Sequence, residues 1–326
     1  MSGTKKNIIP GLQSLPSKPL MRDILELDRF SESNLREWRT ASENLDELEA
    51  VLYFHLEPER RKLRFQLIES LQKVKLQPHK IENWIRLVDY QFSNEPLSCA
   101  GSLCSPEGGG RFNVGIELDP GTLHPWPALY LAQDHETAYR EKFQMESKGI
   151  VDGLSPDELA LNPGVNYTAL SLNGELHRVF NLNDDEFIAG LAIILGKIKM
   201  PQRAKELAKK LKIPRTKLSM VKNAEQVRSM ALKNNWRTLP IQFGLPSQSH
   251  ILAELIKAAG YEAILYKSTK GPGNCLALFP GQMDERSYVE VAGKVLPGVK
   301  HKKLDLHSAK ELEGWQFTPR RFHPTT

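Results

Sequence analysis

The first periodic pattern of apolar residues in the chain is helical. Between residues 35 and 52 they recur every three or four positions, at Leu35, Trp38, Ala41, Leu45, Leu48 and Leu52. This spacing is typical of one face of an α-helix. A second helix is predicted to begin near Pro58, because proline is favoured in a first helical turn. Its apolar face carries Leu63, Leu67, Leu71 and Val74.

A third, shorter apolar series follows, at Ile81, Trp84, Ile85 and Val88. Its spacing predicts a third helix that ends near Phe92. Residues 20–95 are therefore predicted to form a helical N-terminal region. Residues 1–19 hold three prolines and little periodicity, which is typical of a flexible lead-in.

The period changes at residues 128–132. This short apolar run predicts a strand with Ala128, Tyr130 and Ala132 on one face. The small neighbours of Tyr130 on that face would leave room for a flat ligand. Asp134 is a good N-cap residue, so a helix is predicted to begin directly after the strand.

Glu141 lies in this predicted helix, on the face that it shares with Ala138 and Met145. A carboxylate on an apolar face needs an explanation. A salt bridge to a nearby arginine would explain it, and so would a face that is only half buried. A chemical role is the third interpretation, and the helical spacing does not choose between them.

Three glycines, at positions 108 to 110, precede Arg111. Glycine adopts backbone conformations that are closed to other residues, so a tight bend that aims Arg111 is predicted here. Further along, two alternating runs flank Asn173-Gly174. Such a dipeptide between such runs predicts a β-hairpin.

The second half of the chain predicts three more helices, over residues 184–195, 201–211 and 251–259. Two strands follow, at residues 263–266 and 275–279, with a glycine-rich loop between them. Ser268 stands at the end of the first strand, beside this loop. Ligand contacts concentrate in such places, although a lone loop serine is more often an ordinary one.

Composition restricts the class of protein. The 326 residues are 40% hydrophobic and 25% charged, as in soluble globular proteins of one or two domains. No apolar run has the length of a membrane span and the N-terminus lacks a signal-peptide pattern, so we expect a cytoplasmic protein without membrane contacts. Cys99, Cys104 and Cys275 lack metal-ligand spacing, which indicates reduced thiols and no metal site.

A basic segment runs from Lys197 to Lys222, with ten Lys or Arg residues and one acid, although the net charge of the chain is only +5. Part of it resembles a helix-turn-helix, with predicted buried positions at Ala204, Leu207, Ala208, Leu211 and Ile213. Lys212 stands where such motifs usually have glycine, and no clear recognition helix follows. A solvated basic helix is the competing interpretation. Nucleic acid would be bound through its phosphates.

Several of these blocks together resemble the RES domain, a bacterial family named for an Arg, a Glu and a Ser. Residues 109–113 read Gly-Gly-Arg-Phe-Asn and match its opening motif, and residues 129–132 match its Tyr strand. Glu141 follows Tyr130 by eleven positions, as in the family pattern.

The closing block of the family is matched by residues 260–268 and 274–279. The gap between Arg111 and Tyr130 is longer than usual in the family. The region before Gly260 is enlarged as well. We expect the chemistry of the family to be kept in spite of these two departures, whereas the choice of substrate could differ.

The resemblance implies an α+β fold, with an ADP-ribosyltransferase-like core of two small sheets and a cleft. Residues 96–282 are then predicted to be the catalytic domain, with a basic helical insertion at residues 184–238. Residues 283–326 are predicted to be a peripheral C-terminal extension.

Several RES domains are toxins of toxin–antitoxin pairs that destroy NAD, and others attach ADP-ribose to a protein. The resemblance therefore implies an enzyme that cleaves NAD at the nicotinamide–ribose bond, as a NAD glycohydrolase or NAD phosphorylase and as a bacterial toxin. A mono-ADP-ribosyltransferase acting on a specific protein target is the first alternative. A nucleic-acid-binding regulator that uses the basic segment is the second, and the intact motif residues disfavour it.

The resemblance also assigns roles to five residues. Arg111 would bind the pyrophosphate or ribose of NAD through its planar charged fork. Tyr130 would stack on the nicotinamide ring, and Glu141 would stabilise the positive charge that develops on the sugar. Ser268 would donate to phosphate or ribose. Asn113, also placed among the NAD-binding residues, would support the Arg111 turn.

The expected partners follow from the same resemblance. NAD is expected as the substrate, and no metal is expected. A cognate antitoxin or inhibitor protein is a further expected partner, and a transferase would also need a protein target. The resemblance does not cover the N-terminal helices, and docking of an inhibitor or self-association by these helices is a separate hypothesis.

Overall fold

The fold is a mixed α/β architecture built on one sheet. The computed structural model describes residues 31–104, 109–116, 118, 123–145, 166–214, 218, 220–234, 236, 244–295 and 297–314. The predicted lead-in, residues 1–19, lies outside these residues. The described helices are α1 Glu32–Gln72, α2 His135–Phe143, α3 Asp185–Leu195, α4 Gln202–Lys210, α5 Ala224–Ala231, α6 Gln248–Ala258 and α7 Leu306–Gly314. The described strands are β1 His79–Asp89, β2 Leu129–Ala132, β3 Tyr167–Leu176, β4 Val179–Asn181, β5 Ala263–Lys267, β6 Asn274–Leu278, β7 Tyr288–Val291 and β8 Lys303–Asp305.

The eight strands form a single sheet in the order β4-β5-β6-β2-β1-β3-β7-β8. Neighbours are antiparallel, except that β4 and β5 are parallel. The predicted α+β class is therefore confirmed, but the prediction of two small sheets is wrong for the described residues. The two halves of the sheet meet at β1 and β2, which share one registered pair, Ile85 with Ala132. The expectation of two sheets came from the family resemblance alone.

The chain divides into two compact units, which are described separately. One consists of residues up to 55 and residues 200–219, and the other consists of residues 56–199 and 220 onward. In the first unit, Leu48, Ala204 and Leu207 form a buried cluster. Ala208 is also buried, whereas Leu211 and Ile213 are partly buried against the cluster, so three of the five predicted positions are confirmed as buried.

Lys212, just after α4, has a φ of 55°, the left-handed conformation for which glycine is preferred. No second helix begins among the described residues between Lys212 and Asn223. Among the described residues, this region therefore lacks the recognition helix that a helix-turn-helix requires.

The sheet carries a hydrophobic core on each face, because side chains alternate along every strand. One core contains Ala128, Ala132, Ile264 and Ala277, and α6 and the end of α1 pack over it. The other contains Leu129, Leu131, Leu276, Leu278 and Leu312 of α7. Tyr130 packs against the first core, on the face shared with Ala128 and Ala132, as its position in the run predicted.

The prediction of a third helix at residues 81–88 is wrong, because this segment is β1. A register shift between Ile81 and Trp84, with Asn83 at a φ of 56°, marks a β-bulge in the strand. The extra residue places Ile81 and Trp84 on the same face of the sheet although they are three positions apart. The bulge therefore imitates the helical spacing from which a helix was predicted.

The predicted hairpin at Asn173-Gly174 is also wrong, since β3 passes straight through the dipeptide. The Asn173 side-chain oxygen accepts a hydrogen bond from the Asn83 N–H at 2.8 Å and so satisfies the bulge of β1. A Cβ at Gly174 would lie 2.2 Å from the Tyr288 carbonyl oxygen of β7. Asn173 is thus required by its contact with β1, and Gly174 by its contact with β7.

Two further boundaries differ from those predicted. Pro58 lies inside α1 and not at the start of a second helix. Around it, Glu57 pairs with Arg60 and Arg61 at N···O distances of 2.6 and 2.7 Å, which supports the helix where proline removes a hydrogen bond. Val289 and Leu304 are fully buried in β7 and β8, so the sheet continues past residue 282.

The remaining predicted elements are found. The predicted strands at residues 128–132, 263–266 and 275–279 correspond to β2, β5 and β6, and the predicted helices correspond to α2, α3, α4 and α6. In the part of the chain that the structure describes, no helix combines the length and apolar character needed to cross a bilayer.

Candidate active site

The turn before Arg111 requires glycine at two positions. Gly109 has a φ of 105°, and a Cβ on it would lie 2.4 Å from the Asn113 carbonyl oxygen. A Cβ on Gly110 would lie 2.4 Å from the Tyr130 hydroxyl oxygen. Neither position has room for a side chain, so the turn can approach β2 as closely as it does only with these glycines.

Tyr130 and Asn113 fasten this turn to β2. The Tyr130 hydroxyl donates to the Asn113 Oδ1 at 2.9 Å and accepts from the Phe112 N–H at 3.0 Å. Asn113 Oδ1 also accepts from the Gly110 N–H at 2.9 Å. The Asn113 amide group donates to the carbonyl oxygens of Ser102 and Trp126 at 3.0 and 3.2 Å.

The Arg111 side chain is 9% exposed and contacts the end of α5. Its Nη1 donates to the carbonyl oxygens of Ala231 and Lys233 at 3.2 and 2.8 Å, and its Nη2 donates to Thr269 Oγ1 at 3.3 Å. The guanidinium carbon lies 5.6 Å from the centre of the Trp236 ring. A cation beside a helix C-terminus and an indole ring is favourably placed.

The Glu141 carboxylate is held by the chain that follows β5. Its Oε1 accepts from the Ser268 hydroxyl at 2.6 Å and from the Thr269 N–H at 3.2 Å. Glu141 is half buried. Of the two structural explanations for a carboxylate on this face, half burial holds, whereas no arginine pairs with Glu141 among the described residues.

Ser268 organises the loop that carries these donors. Its hydroxyl oxygen accepts from the N–H groups of Lys270 and Gly271 at 3.0 and 2.8 Å while its proton goes to Glu141. The Gly273 N–H donates to Thr137 Oγ1 of α2 at 2.8 Å. The loop is thereby tied to the same helix that presents Glu141.

The N-terminus of α2 is fixed by the predicted cap. Asp134 Oδ1 accepts from the Thr137 N–H at 2.7 Å, and its Oδ2 accepts from the Thr137 hydroxyl at 2.8 Å. A Cβ on Gly273 would lie 2.1 Å from Asp134 Oδ2, so the loop packs directly on this cap. His135, in the first turn of α2, is exposed and stacks on Tyr139.

Tyr266 lies at the centre of these groups. Burial raises the pKa of its phenol well above the ordinary value, and the neighbouring Cys275, Glu141 and Tyr130 raise it further, whereas Arg111 lowers it. Burial likewise raises the pKa of the Cys275 thiol, with Glu141 adding to the effect. Both groups therefore stay neutral.

The structure brings the five predicted residues into one cluster, while their roles stay predictions. Arg111 and Glu141 both contact Thr269, and Tyr130 is bonded to the turn that carries Arg111. Ser268 donates to Glu141, although a donation to the substrate was predicted. Asn113 is fully buried, and its observed hydrogen bonds go to the turn, to Tyr130 and to nearby carbonyl oxygens. These contacts fit the predicted support of the turn.

Two residues of the site were missed. Thr269 gave no signal of its own, since it only follows Ser268 in the sequence. His250 is fully buried in the first turn of α6. Its Nδ1 accepts from the Ser247 N–H at 3.3 Å, so Nε2 carries the proton and donates to the Gly110 carbonyl oxygen at 2.8 Å. The spacing of Ser247 and His250, three positions apart at the start of a helix, is that of a capping box and could have drawn attention to His250.

Comparisons with known proteins add little to this geometry. Sequence comparison matched the chain to no family model and to no curated protein. Structure comparison found similarity to the crystal structure of the M. tuberculosis MbcT-MbcA toxin-antitoxin complex, with a TM-score of 0.38 and 11% sequence identity. The similarity covers 77% of this chain and 98% of that one. A TM-score this low does not show a shared fold.

Proposed function

We propose that this protein cleaves NAD at the bond between nicotinamide and ribose, as a NAD glycohydrolase or NAD phosphorylase. The observation that carries the proposal is the Glu141 carboxylate, half buried and oriented by the Ser268 hydroxyl and the Thr269 N–H through one of its oxygens. A fixed carboxylate of this kind suits a reaction in which positive charge develops on a sugar.

Cleavage breaks the bond between ribose C1′ and the ring nitrogen of nicotinamide. The ring leaves with the bonding electron pair as neutral nicotinamide, and positive charge builds on the ribose. Glu141 stabilises this charge more strongly in the transition state than in the ground state, which is the requirement for catalysis. An oxygen of water or phosphate then bonds to C1′, and in the case of water a proton is released.

The neighbouring residues supply binding and orientation. Arg111 provides a permanent positive charge for the pyrophosphate, and Tyr130, held by its hydroxyl, offers a ring face to the nicotinamide. Ser268 acts on the reaction through Glu141, because it donates its hydroxyl proton to that carboxylate. In this arrangement Ser268 is a positioning residue.

The toxin role rests on the sequence resemblance to the RES domain. A toxin of this kind acts in the cytoplasm, where NAD is available, and a cognate antitoxin restrains it. Expression in bacterial cells should stop growth and lower cellular NAD. Expression of the Glu141→Gln variant should do neither.

Transfer of ADP-ribose to a protein is the second candidate. The observation that favours it is a pair of large exposed apolar side chains on the first part of α1: Trp38 and Leu45, seven positions apart on the same face of the helix, are 53% and 45% exposed. Exposed apolar patches mark surfaces that contact other proteins. An acceptor protein labelled from radioactive NAD would support this candidate over hydrolysis.

The direct test is mass spectrometry of NAD incubated with the purified protein, with and without phosphate. Release of nicotinamide together with ADP-ribose, or with its phosphorylated form, identifies the acceptor. Glu141→Gln should lower the rate by about a thousandfold or more, since about 4 kcal/mol of transition-state stabilisation is lost. Glu290→Gln, an exposed glutamate on β7, is the matched control and should keep full activity. Intact NAD with the wild-type protein would contradict the proposal.

A further inference from the structure

One residue, Thr269, contacts both charged side chains of the site. Its N–H donates to Glu141 Oε1 at 3.2 Å, and its hydroxyl oxygen accepts from Arg111 Nη2 at 3.3 Å. Arg111 and Glu141 come from a turn and a helix that β2 separates in the chain. Thr269, from a third segment, therefore links the two.

The distance between Arg111 and Glu141 matters because the two charges would act on different parts of one molecule. Arg111 would bind the pyrophosphate while Glu141 faces the ribose, so both groups must be placed before the substrate arrives. On its other side the Arg111 guanidinium donates to the Ala231 and Lys233 carbonyl oxygens. Thr269 thus holds the guanidinium on the side of the loop that carries Glu141.

The loop that presents Thr269 is itself fixed. Ser268, one position before it, is bonded to Glu141 and to the N–H groups of Lys270 and Gly271. The Thr269 backbone therefore has little freedom, and its contact with Glu141 uses only the main chain. Loss of the Thr269 hydroxyl should therefore leave the Glu141 contact in place and remove the contact with Arg111.

We infer that Thr269 is a positioning residue that joins the anion-binding Arg111 to the carboxylate Glu141 and sets the pyrophosphate-to-ribose spacing that the site accepts. The inference rests on the proposed cleavage of NAD. The contact of the Thr269 side chain should then affect KM, and the contact of its main chain should affect kcat. The side chain governs substrate binding through Arg111, and the main chain governs the chemical step through Glu141.

The test is the steady-state kinetics of Thr269→Val, which keeps the shape of the side chain and removes the hydroxyl. We expect the KM for NAD to rise roughly five- to tenfold, as for loss of a hydrogen bond to a charged group, with kcat changed less than about twofold. Thr269→Ser restores the hydroxyl and should restore the KM. A fall in kcat at constant KM, or no rescue by serine, would overturn the inference.

A double-mutant cycle with Arg111→Met separates this role from a structural one. In the Arg111→Met background, which has no donor for the hydroxyl, Thr269→Val should change the KM by less than about twofold. The same increase in both backgrounds would show that Thr269 acts elsewhere. Wild-type protein that leaves NAD intact would refute the proposed function and this inference together, whereas active wild type with an unchanged Thr269→Val variant would refute the inference alone.

Discussion

Two glutamates of this protein are bound by surrounding donors in different ways. Glu262 is 0% exposed, and both of its oxygens are used. Its Oε1 accepts from the N–H groups of His177 and Arg178 and from the Ser287 hydroxyl at 2.6, 2.9 and 2.8 Å, and its Oε2 accepts from the Asp284 N–H at 2.8 Å. Glu141 is half buried, and both of its donors converge on Oε1.

The difference separates a structural carboxylate from one that is suited to act on a ligand. Glu262 joins the turn between β3 and β4 to the segment before β7, and its carboxylate is enclosed by protein donors. At Glu141, no described residue donates to Oε2. An oriented carboxylate with one oxygen not engaged by the protein is what a sugar hydroxyl or a developing positive charge can use.

The largest effect on stability is expected at Glu262. Glu262→Gln replaces one acceptor oxygen by an NH2 group that faces main-chain donors, so buried N–H groups lose their partner. We expect the free energy of unfolding to fall by about 3 kcal/mol. Urea unfolding followed by circular dichroism measures it.

Glu141→Gln is the matched control for that substitution. The amide oxygen can still accept from Ser268 and from Thr269, and no described donor faces the new NH2 group, so the loss should stay below about 1 kcal/mol. Equal destabilisation by the two substitutions would show that the two carboxylates do not differ in the way proposed.

The contrast between the two glutamates also shows what could be predicted from the sequence. The strand around Tyr130, the Asp134 cap and the helix that carries Glu141 are local features, and residue spacing was sufficient to find them. Glu141 and Ser268, however, are 127 positions apart, so no spacing rule could show that one donates to the other. The resemblance to a known family, and not periodicity, placed them in one site.

Two of the errors, the third helix and the hairpin, have a common physical origin in contacts between distant strands. The β1 bulge at Asn83 imitates a helical period, and its N–H is satisfied by Asn173 of β3. Gly174 allows β7 to approach β3 closely. Each of these residues is explained by a contact with a strand that is distant in the sequence. The predictions used only the local sequence pattern and could not include such contacts.

A second prediction compares the two serines that donate to these glutamates. Ser268→Ala removes the donor to Glu141 and the acceptor of two loop N–H groups, so NAD cleavage should fall by about ten- to a hundredfold. Ser287→Ala removes the corresponding donor to Glu262 and should leave the rate unchanged, while it lowers the free energy of unfolding by about 1–2 kcal/mol. Nicotinamide release and urea unfolding of both variants provide the comparison. A rate loss in Ser287→Ala would show that the two carboxylates are coupled.

The smallest effect concerns the charge that lies beside the Glu262 cluster. Asp284, whose N–H donates to Glu262, pairs through its own carboxylate with Arg286, with the Arg286 Nε 3.0 Å from Oδ1. The hydrogen bonds from the Arg286 side chain and N–H lower the pKa of Asp284 from 3.8 to about 2. A lowered pKa means that this contribution to stability is complete above about pH 4 and is lost as the pH falls through 2.

Asp284→Asn should therefore destabilise the protein near neutral pH by at most about 1 kcal/mol, because solvent screens a pair at the surface. The difference in unfolding midpoint between wild type and variant should shrink between about pH 5 and pH 2, since the wild-type carboxylate becomes protonated over this range. Arg286→Ala removes the nearer of the two arginines that pair with Asp284, since Arg178 Nε lies 3.7 Å from Oδ2, and should show a pH dependence of the same sign. A difference that stays constant over this range would mean that the Asp284 charge does not support the cluster around Glu262. The pH response of the cluster would then have to come from another group.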